Sequence, residues 1–193
     1  MKKGTVTRMA ILRTALDLAS RIGLASLTIG NLAKARGMSK SGVYAHFQSK
    51  QKLQLDLVQY AQMVFSERVV KPTRHLSDPI ERLTQLAEHW YQWNNRFSGG
   101  CFFIGAVIDF DDVDGAVTEE LKLQQQSWCD QLKQVAQQAI NLGHFRADLD
   151  LDYFVFQFNS LYLGACWYQW LEPEQSHPHY QQAFSQLLAS SRK

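Results

Sequence analysis

The residues best suited to chemistry are hydrogen-bond donors gathered in one short stretch, from Thr28 to Lys50. Within it, hydroxyl, imidazole and ammonium groups alternate with glycine, alanine and serine, and no catalytic pair of recognisable spacing accompanies them. Donors of this kind bind phosphate oxygens, and small residues let a helix approach base edges closely. The stretch therefore favours contact with a nucleic acid.

Charge is segregated along the chain. Residues 1–52 hold ten Lys or Arg against Asp17 alone, a net +9, whereas residues 53–193 hold ten basic and seventeen acidic side chains, a net −7. A cluster of positive charge on a small segment is the footprint of phosphate binding, although a solvated basic face without a partner has the same composition. Lys2, Lys3 and Arg8 would form an arm ahead of the first helix.

The elements that position these residues are helical. Apolar residues recur at helical spacing nearly throughout, and no segment alternates with period two, so the sequence predicts an all-α protein of about nine helices. Thr28 caps a short helix, Gly37 closes it in a left-handed conformation, and Ser39 caps the next. Val43 and Phe47, four residues apart, would hold that second helix against the core. The pattern predicts a helix-turn-helix.

Breakers and caps predict the later helices. A fourth helix begins at Ser49 and runs towards Pro72, and a fifth runs from Pro79 to about Phe97. A very apolar helix runs from Asp150 to about Leu171, and Pro178 precedes a last short helix. The helix from Asp150 is apolar on two faces, so we expect one face to pack on the core and the other on a second subunit.

A constellation of residues resembles the DNA-binding domain of TetR-family transcriptional regulators over about residues 7–55. It comprises Thr28, Leu32-Ala33, Gly37-Met38-Ser39, Val43-Tyr44-Ala45-His46-Phe47, Ser49-Lys50 and Leu53. The resemblance implies a three-helix DNA-binding domain at 1–52 and a larger helical domain for effector binding and dimerisation at 53–193. It further implies a homodimer on a palindromic double-stranded operator, usually a repressor, which a small molecule releases. The helices at about 150–171 and 178–191 would form the dimer interface.

Two sets of site residues follow. We expect DNA contacts from Thr28, Ser39, Lys40, Ser41, Gly42, Tyr44, Ala45, His46 and Lys50. Twenty of the 23 aromatic residues lie beyond residue 60, enough to line a mostly apolar pocket for an apolar or aromatic effector. The expected lining is Trp90, Trp93, Phe97, Phe102, Phe103, Phe110, Trp128, Phe158 and Tyr162, with polar contacts from His89, Tyr91, Gln124 and Asn159. A well-filled core is the alternative interpretation, and with it a helix-turn-helix protein that has no effector.

Other classes of function are disfavoured. The three cysteines are odd in number and widely spaced, which fits neither a disulfide framework nor a zinc site. The acidic run from Asp109 to Asp114 fails as a calcium loop, because Phe110 and Leu121 would occupy ligand positions. Cys101 follows Gly99-Gly100 but no histidine motif accompanies it, so we expect no enzyme, cofactor or metal.

Partners other than DNA are also disfavoured. An architectural nucleic-acid protein would spread basic residues along the whole chain, and a protein-interaction module would have no use for the basic segment. Apolar runs are too short for a membrane span, and basic and polar residues stand where a signal peptide needs an apolar stretch. We therefore expect a cytoplasmic protein.

Overall fold

The computed structural model describes the backbone of residues 3–193 and the side chains of residues 7–193. Nine α-helices and no β-strand form within this part of the chain, which confirms the predicted all-α class. The helices are α1 (Lys3–Ile22), α2 (Ile29–Arg36), α3 (Lys40–Phe47), α4 (Lys50–Phe65), α5 (Pro79–Asn94), α6 (Phe102–Phe110), α7 (Ala116–Asn141), α8 (Leu151–Leu171) and α9 (Pro173–Ser191).

The chain divides into two compact units, each built from two separate segments. The first contains the residues up to Phe65 together with Asn95–Gln124, and the second contains Ser66–Asn94 together with Gln125–Lys193. Helices α1 to α4 thus share a unit with α6. The boundary expected after residue 52 stays a prediction.

A buried carboxylate ties α4 to α1 in the first unit. Asp56 is only 5% exposed, and it pairs with Arg8 and, at 2.7 Å, with the Nζ atom of Lys52. The guanidinium of Arg8 also lies 5.4 Å from the ring centroid of Phe47, in cation–π geometry. The predicted arm ahead of the first helix is wrong for Lys3 and Arg8, because α1 begins at Lys3, and Arg8 lies within it and pairs with a buried anion. Lys2 and the side chain of Lys3 lie outside the described residues.

Helix α4 ends earlier than the sequence predicts. It stops at Phe65, and a π-helical turn at Ser66–Val70 and a 3-10 turn at Lys71–Thr73 follow. Pro72 has no backbone N–H to donate, so it is disfavoured inside an α-helix, and it lies instead in the first turn of the 3-10 helix. The two turns bury Val69, Val70 and Thr73, whose Oγ1 donates to the Val70 carbonyl at 2.9 Å.

Helix α9 begins at Pro173 and contains Pro178, so the expectation of a short helix after Pro178 is wrong. A proline inside a helix removes one backbone hydrogen bond, but tertiary contacts hold this segment in place. Ser176 is fully buried and donates to the Ala165 carbonyl at 2.8 Å, and the hydroxyl of Tyr91 donates to the Ser176 Oγ at 3.2 Å.

A hydrogen bond between side chains links α5 to α9 in the second unit. The Nε2 atom of His177 lies 2.8 Å from the Glu88 carboxylate. Burial alone would raise the pKa of Glu88, but hydrogen bonds from His177 and Gln92 outweigh burial and hold that pKa below its usual value. The charged carboxylate therefore contributes to joining the two helices.

Candidate nucleic-acid interface

Local caps fix both ends of α2. The Thr28 Oγ1 accepts the Asn31 backbone amide at 3.1 Å, and the Asn31 Oδ1 accepts the Thr28 amide at 2.8 Å, which makes a reciprocal capping box. Gly37 closes the helix at φ 62°, a left-handed angle that favours glycine. The predicted cap, helix and tight turn are confirmed.

Packing decides which face of α3 meets solvent. Val43 and Phe47 are 0% exposed, so the opposite side of the helix faces outwards. Tyr44 is 55% exposed. Three further residues of this helix that are expected to contact DNA are also exposed, namely Lys40, Ser41 and Ala45. His46 is half-buried. The sequence pattern therefore predicted the orientation of the helix.

The small residue at position 42 accommodates the cap of α3. The Ser39 Oγ accepts the Gly42 amide at 3.1 Å. A methyl group added at Gly42 would lie 3.1 Å from that oxygen, closer than ordinary van der Waals contact. Because an accepting hydroxyl keeps its own hydrogen to donate, Ser39 and Thr28 remain possible donors to an anion.

A groove of about 590 Å³ lies between α2 and α3. Its walls are Thr28, Ile29 and Gly30 on one side and Lys40, Ser41 and Tyr44 on the other. The Lys40 side chain reaches across it, since a methyl group built at Gly30 would lie 3.4 Å from the Lys40 Cε. An ammonium beside the amino end of a helix is a favourable environment for an anion such as phosphate.

A second cationic position follows α3. The Ser49 Oγ accepts the Lys52 amide at 3.0 Å, so Ser49 caps α4 as predicted. Lys50 is the first residue of α4 and is exposed. The positive charge of Lys50 therefore belongs to the first turn of α4, where the helix dipole is also positive.

The nine residues expected to line an effector pocket divide between the two units. Phe97, Phe102, Phe103 and Phe110 belong to the first unit, and Trp90, Trp93, Trp128, Phe158 and Tyr162 belong to the second. In the first unit, the ring of Phe103 meets Phe65 edge-on at 5.8 Å and Phe102 at 5.4 Å. All nine are buried except Phe97, which is half-buried.

Four of these rings pack directly on one another in the second unit. Trp90 stacks on Tyr162 with ring centroids 3.8 Å apart, meets Trp128 edge-on at 4.9 Å, and lies 6.1 Å from Phe158. We call these four residues the aromatic cluster. The Trp128 Nε1 donates to the Asn159 Oδ1 at 3.3 Å, which gives the cluster one polar edge.

The other polar side chains expected at the effector site make internal hydrogen bonds. The hydroxyl oxygen of Tyr91 lies 2.6 Å from the Gln169 Oε1, and the Nδ1 atom of His89 lies 3.4 Å from the Val69 carbonyl. Gln124 donates to Glu120 in the first unit. A filled hydrophobic core would contain the same aromatic ring contacts and the same internal hydrogen bonds.

Two family models cover most of the chain. Residues 11–57 match the model described as bacterial regulatory proteins of the tetR family, and residues 79–184 match the tetracyclin repressor-like C-terminal domain. The chain belongs to the TetR family. It is therefore a DNA-binding transcriptional regulator and not an enzyme.

Individual proteins similar to this TetR-family chain agree with the assignment. The nucleoid occlusion factor SlmA of Marinobacter nauticus is 27% identical over 142 residues, which span 74% of this chain and 70% of that protein. A TetR regulator from Chloroflexus aurantiacus superposes with a TM-score of 0.85 at 24% identity, over 98% of this chain and 96% of that one. AibR in complex with isovaleryl coenzyme A and operator DNA superposes with a TM-score of 0.71 at 24% identity, over 93% and 96% of the two chains.

Neither a cluster of metal ligands nor a membrane-spanning helix is found among the residues that the structure describes. Among the side chains that the structure describes, no three His, Cys, Asp or Glu residues are grouped so that they would hold a metal ion. Within residues 3–193, none of the helices combines the length and the apolar character that crossing a bilayer requires.

Sequence reasoning missed two side chains that shape the DNA-binding unit. Asn31 completes the capping box of α2, and its spacing of three residues from Thr28 was the available signal. Gln54 is buried on α4 and donates to the Leu24 carbonyl at 2.9 Å, in the loop before α2. No local sequence pattern predicts this second contact, because Gln54 and Leu24 are thirty residues apart.

Proposed function

We propose that this TetR-family regulator is a repressor that binds a palindromic operator as a homodimer and leaves it when a small apolar or aromatic effector binds. The exposed face of α3 beside the α2–α3 groove carries the proposal. Val43 and Phe47 hold α3 from behind, and Lys40 and Tyr44 stand on its outer side. A capped helix presented in this way can enter the major groove of DNA.

The proposed contacts have different roles. Tyr44 and Lys50 contact phosphate oxygens, which positions the protein without reading sequence. Lys40 and Ala45 face base edges and set the sequence preference. The remaining proposed contacts are Thr28, Ser39, Ser41, Gly42 and His46.

The exposed side of α8 supports a homodimer. Large apolar side chains recur there three, four or seven residues apart and therefore share one face, which comprises Tyr153, Phe156, Leu163, Trp167, Trp170 and, four residues after Trp167, Leu171. We call this set the α8 apolar face. Trp170 is 79% exposed, which is unusual for an indole on the surface of a monomer. A second copy is the occupant we propose, because a palindromic operator requires a two-fold symmetric protein.

The proposed effector is a small apolar or aromatic molecule. AibR, which shares the fold, was crystallised with both isovaleryl coenzyme A and operator DNA. The aromatic cluster offers an apolar environment with the Asn159 amide at its edge. The second candidate is a regulator without an effector, favoured by the 3.8 Å stacking of Trp90 on Tyr162, which fills the space between those rings.

Replacing Lys50 with alanine tests the proposed DNA face. We expect weaker binding of every duplex by a similar factor, because a phosphate contact carries no sequence information. Each lost phosphate contact reduces the slope of log affinity against log salt by about 0.9, so a dimer should lose about 1.8. Fluorescence anisotropy across a salt series measures both quantities.

The matched control for that variant is Lys122→Ala, which removes the same charge from an exposed position on α7. It should leave affinity and slope almost unchanged. If Lys50→Ala behaves like Lys122→Ala, the amino end of α4 does not contact DNA and the proposed docking is wrong.

A further inference from the structure

The loop between α1 and α2 is where the two segments of the first unit meet. Gly23 opens the loop at φ 85°, in the left-handed region, and Thr28 closes it as the cap of α2. The residues of this loop therefore set where the amino end of α2 lies.

Two side chains hold the loop from different helices. Gln54 of α4 donates to the Leu24 carbonyl at 2.9 Å, and the Asp109 Oδ2 of α6 accepts the Ala25 amide at 3.0 Å. A methyl group at Gly23 would lie 2.7 Å from the same Asp109 oxygen, so glycine also leaves room for the carboxylate. Asp109 begins the acidic run that fails as a calcium loop, and it is half-buried in the last turn of α6.

The segment before α6 is attached to α1 as well. The Ser98 Oγ donates to the Asp17 carboxylate at 3.2 Å, and the Gly99 amide donates to the Ser20 Oγ at 3.3 Å. A methyl group at Gly99 would lie 1.9 Å from the Ser20 carbonyl oxygen, so the backbones approach too closely for any side chain there. The segment before α6 thus contacts α1, and the last turn of α6 contacts the loop that follows α1.

The loop connects Asp109 to the proposed DNA face. Ala25 is three residues from the Thr28 cap, and the Asn31 Nδ2 donates to the Ser26 carbonyl at 2.9 Å between them. A displacement of Ala25 would therefore reach the capping box and the groove beside Lys40.

We propose that Asp109 is a positioning residue for DNA binding, which holds the α1–α2 loop from α6 and so fixes the amino end of α2. The inference rests on the proposed DNA face. It predicts an effect opposite in sign to simple electrostatics. Removing an anion from the DNA-binding unit should strengthen DNA binding by reducing repulsion, whereas losing this hydrogen bond should weaken it.

The test compares three variants. Asp109→Ala removes the acceptor, Asp109→Asn keeps an oxygen acceptor without the charge, and Asp112→Ala removes the same charge from an exposed position in the same acidic run. Hydrogen exchange is measured on the Ala25 amide, and DNA affinity is measured on a duplex selected by the wild-type protein. Circular dichroism checks that each variant is folded.

In Asp109→Ala we expect the Ala25 amide to exchange about tenfold faster and DNA to bind about tenfold more weakly, as loss of a charged hydrogen bond implies. The salt slope should be unchanged, because no phosphate contact is removed. Asp109→Asn should recover most of both effects, and Asp112→Ala should match the wild type or bind slightly more tightly.

Two results would overturn the inference. One is unchanged exchange at Ala25 in Asp109→Ala, and the other is DNA affinity in Asp109→Ala equal to that of Asp112→Ala. If the wild type selects no duplex, the proposed DNA face fails instead. The exchange measurement then still decides whether Asp109 holds the loop.

Discussion

Replacing Phe156 with glutamate is expected to convert the protein into a monomer and to weaken operator binding by about 100-fold or more. Phe156 is 65% exposed at the α8 apolar face, where its ring stacks on that of Tyr153, which is 58% exposed. Burying an unpaired carboxylate against a second copy of this face costs more free energy than the lost ring contact alone. Two linked DNA-binding units gain roughly 10² to 10⁴ in affinity over one, and a monomer loses that gain.

The matched control is Leu123→Glu, because Leu123 is 66% exposed and lies on α7, away from the α8 apolar face in sequence. It introduces the same charge at the same exposure, so it should remain a dimer and bind DNA normally. Sedimentation velocity at micromolar concentration gives the oligomeric state. A wild-type monomer, or a Phe156→Glu dimer, would contradict the proposed interface.

Replacing Trp90 with alanine is expected to lower the free energy of unfolding by about 3–5 kcal/mol, the usual cost of truncating a large buried aromatic side chain. Trp90 is 8% exposed and contacts Tyr162, Trp128 and Phe158. Removing its indole leaves a cavity among rings that touch one another. Denaturant unfolding followed by circular dichroism measures the loss.

Trp90→Phe is the graded control, since it keeps an aromatic ring and should lose clearly less stability than Trp90→Ala. The comparison also separates the two interpretations of the aromatic cluster. A loss below about 1 kcal/mol for Trp90→Ala would indicate that the indole lines an open pocket instead of filling a core.

The helix-turn-helix was predictable because its determinants are local. The cap at Thr28, the left-handed angle at Gly37 and the cap at Ser39 each depend on residues within three or four positions. Val43 and Phe47 share one face by helical geometry alone, so the outer side of α3 followed directly. The two faces of α8 were predictable in the same way.

Contacts between distant segments were not predictable. Gln54 meets Leu24 and Asp109 meets Ala25 across 30 and 84 residues, and neither pair leaves a periodic trace in the sequence. Pro178 was misleading for a related reason, because proline disfavours a helix interior while Ser176 of α9 is held by a hydrogen bond to the Ala165 carbonyl of α8. Arg8 was expected in an arm because its partner Asp56 is 48 residues away, and no local pattern in the sequence indicates that pair.

Selection of bound duplexes from a random DNA pool tests the central claim most directly. We expect an enriched palindrome of two inverted half-sites, because a two-fold symmetric dimer places one α3 in the major groove of each half-site. Binding of the selected duplex should also fall steeply with salt, as neutralisation of several phosphates per subunit requires. Recovery of no enriched sequence, or of a single site without inverted symmetry, would contradict the account.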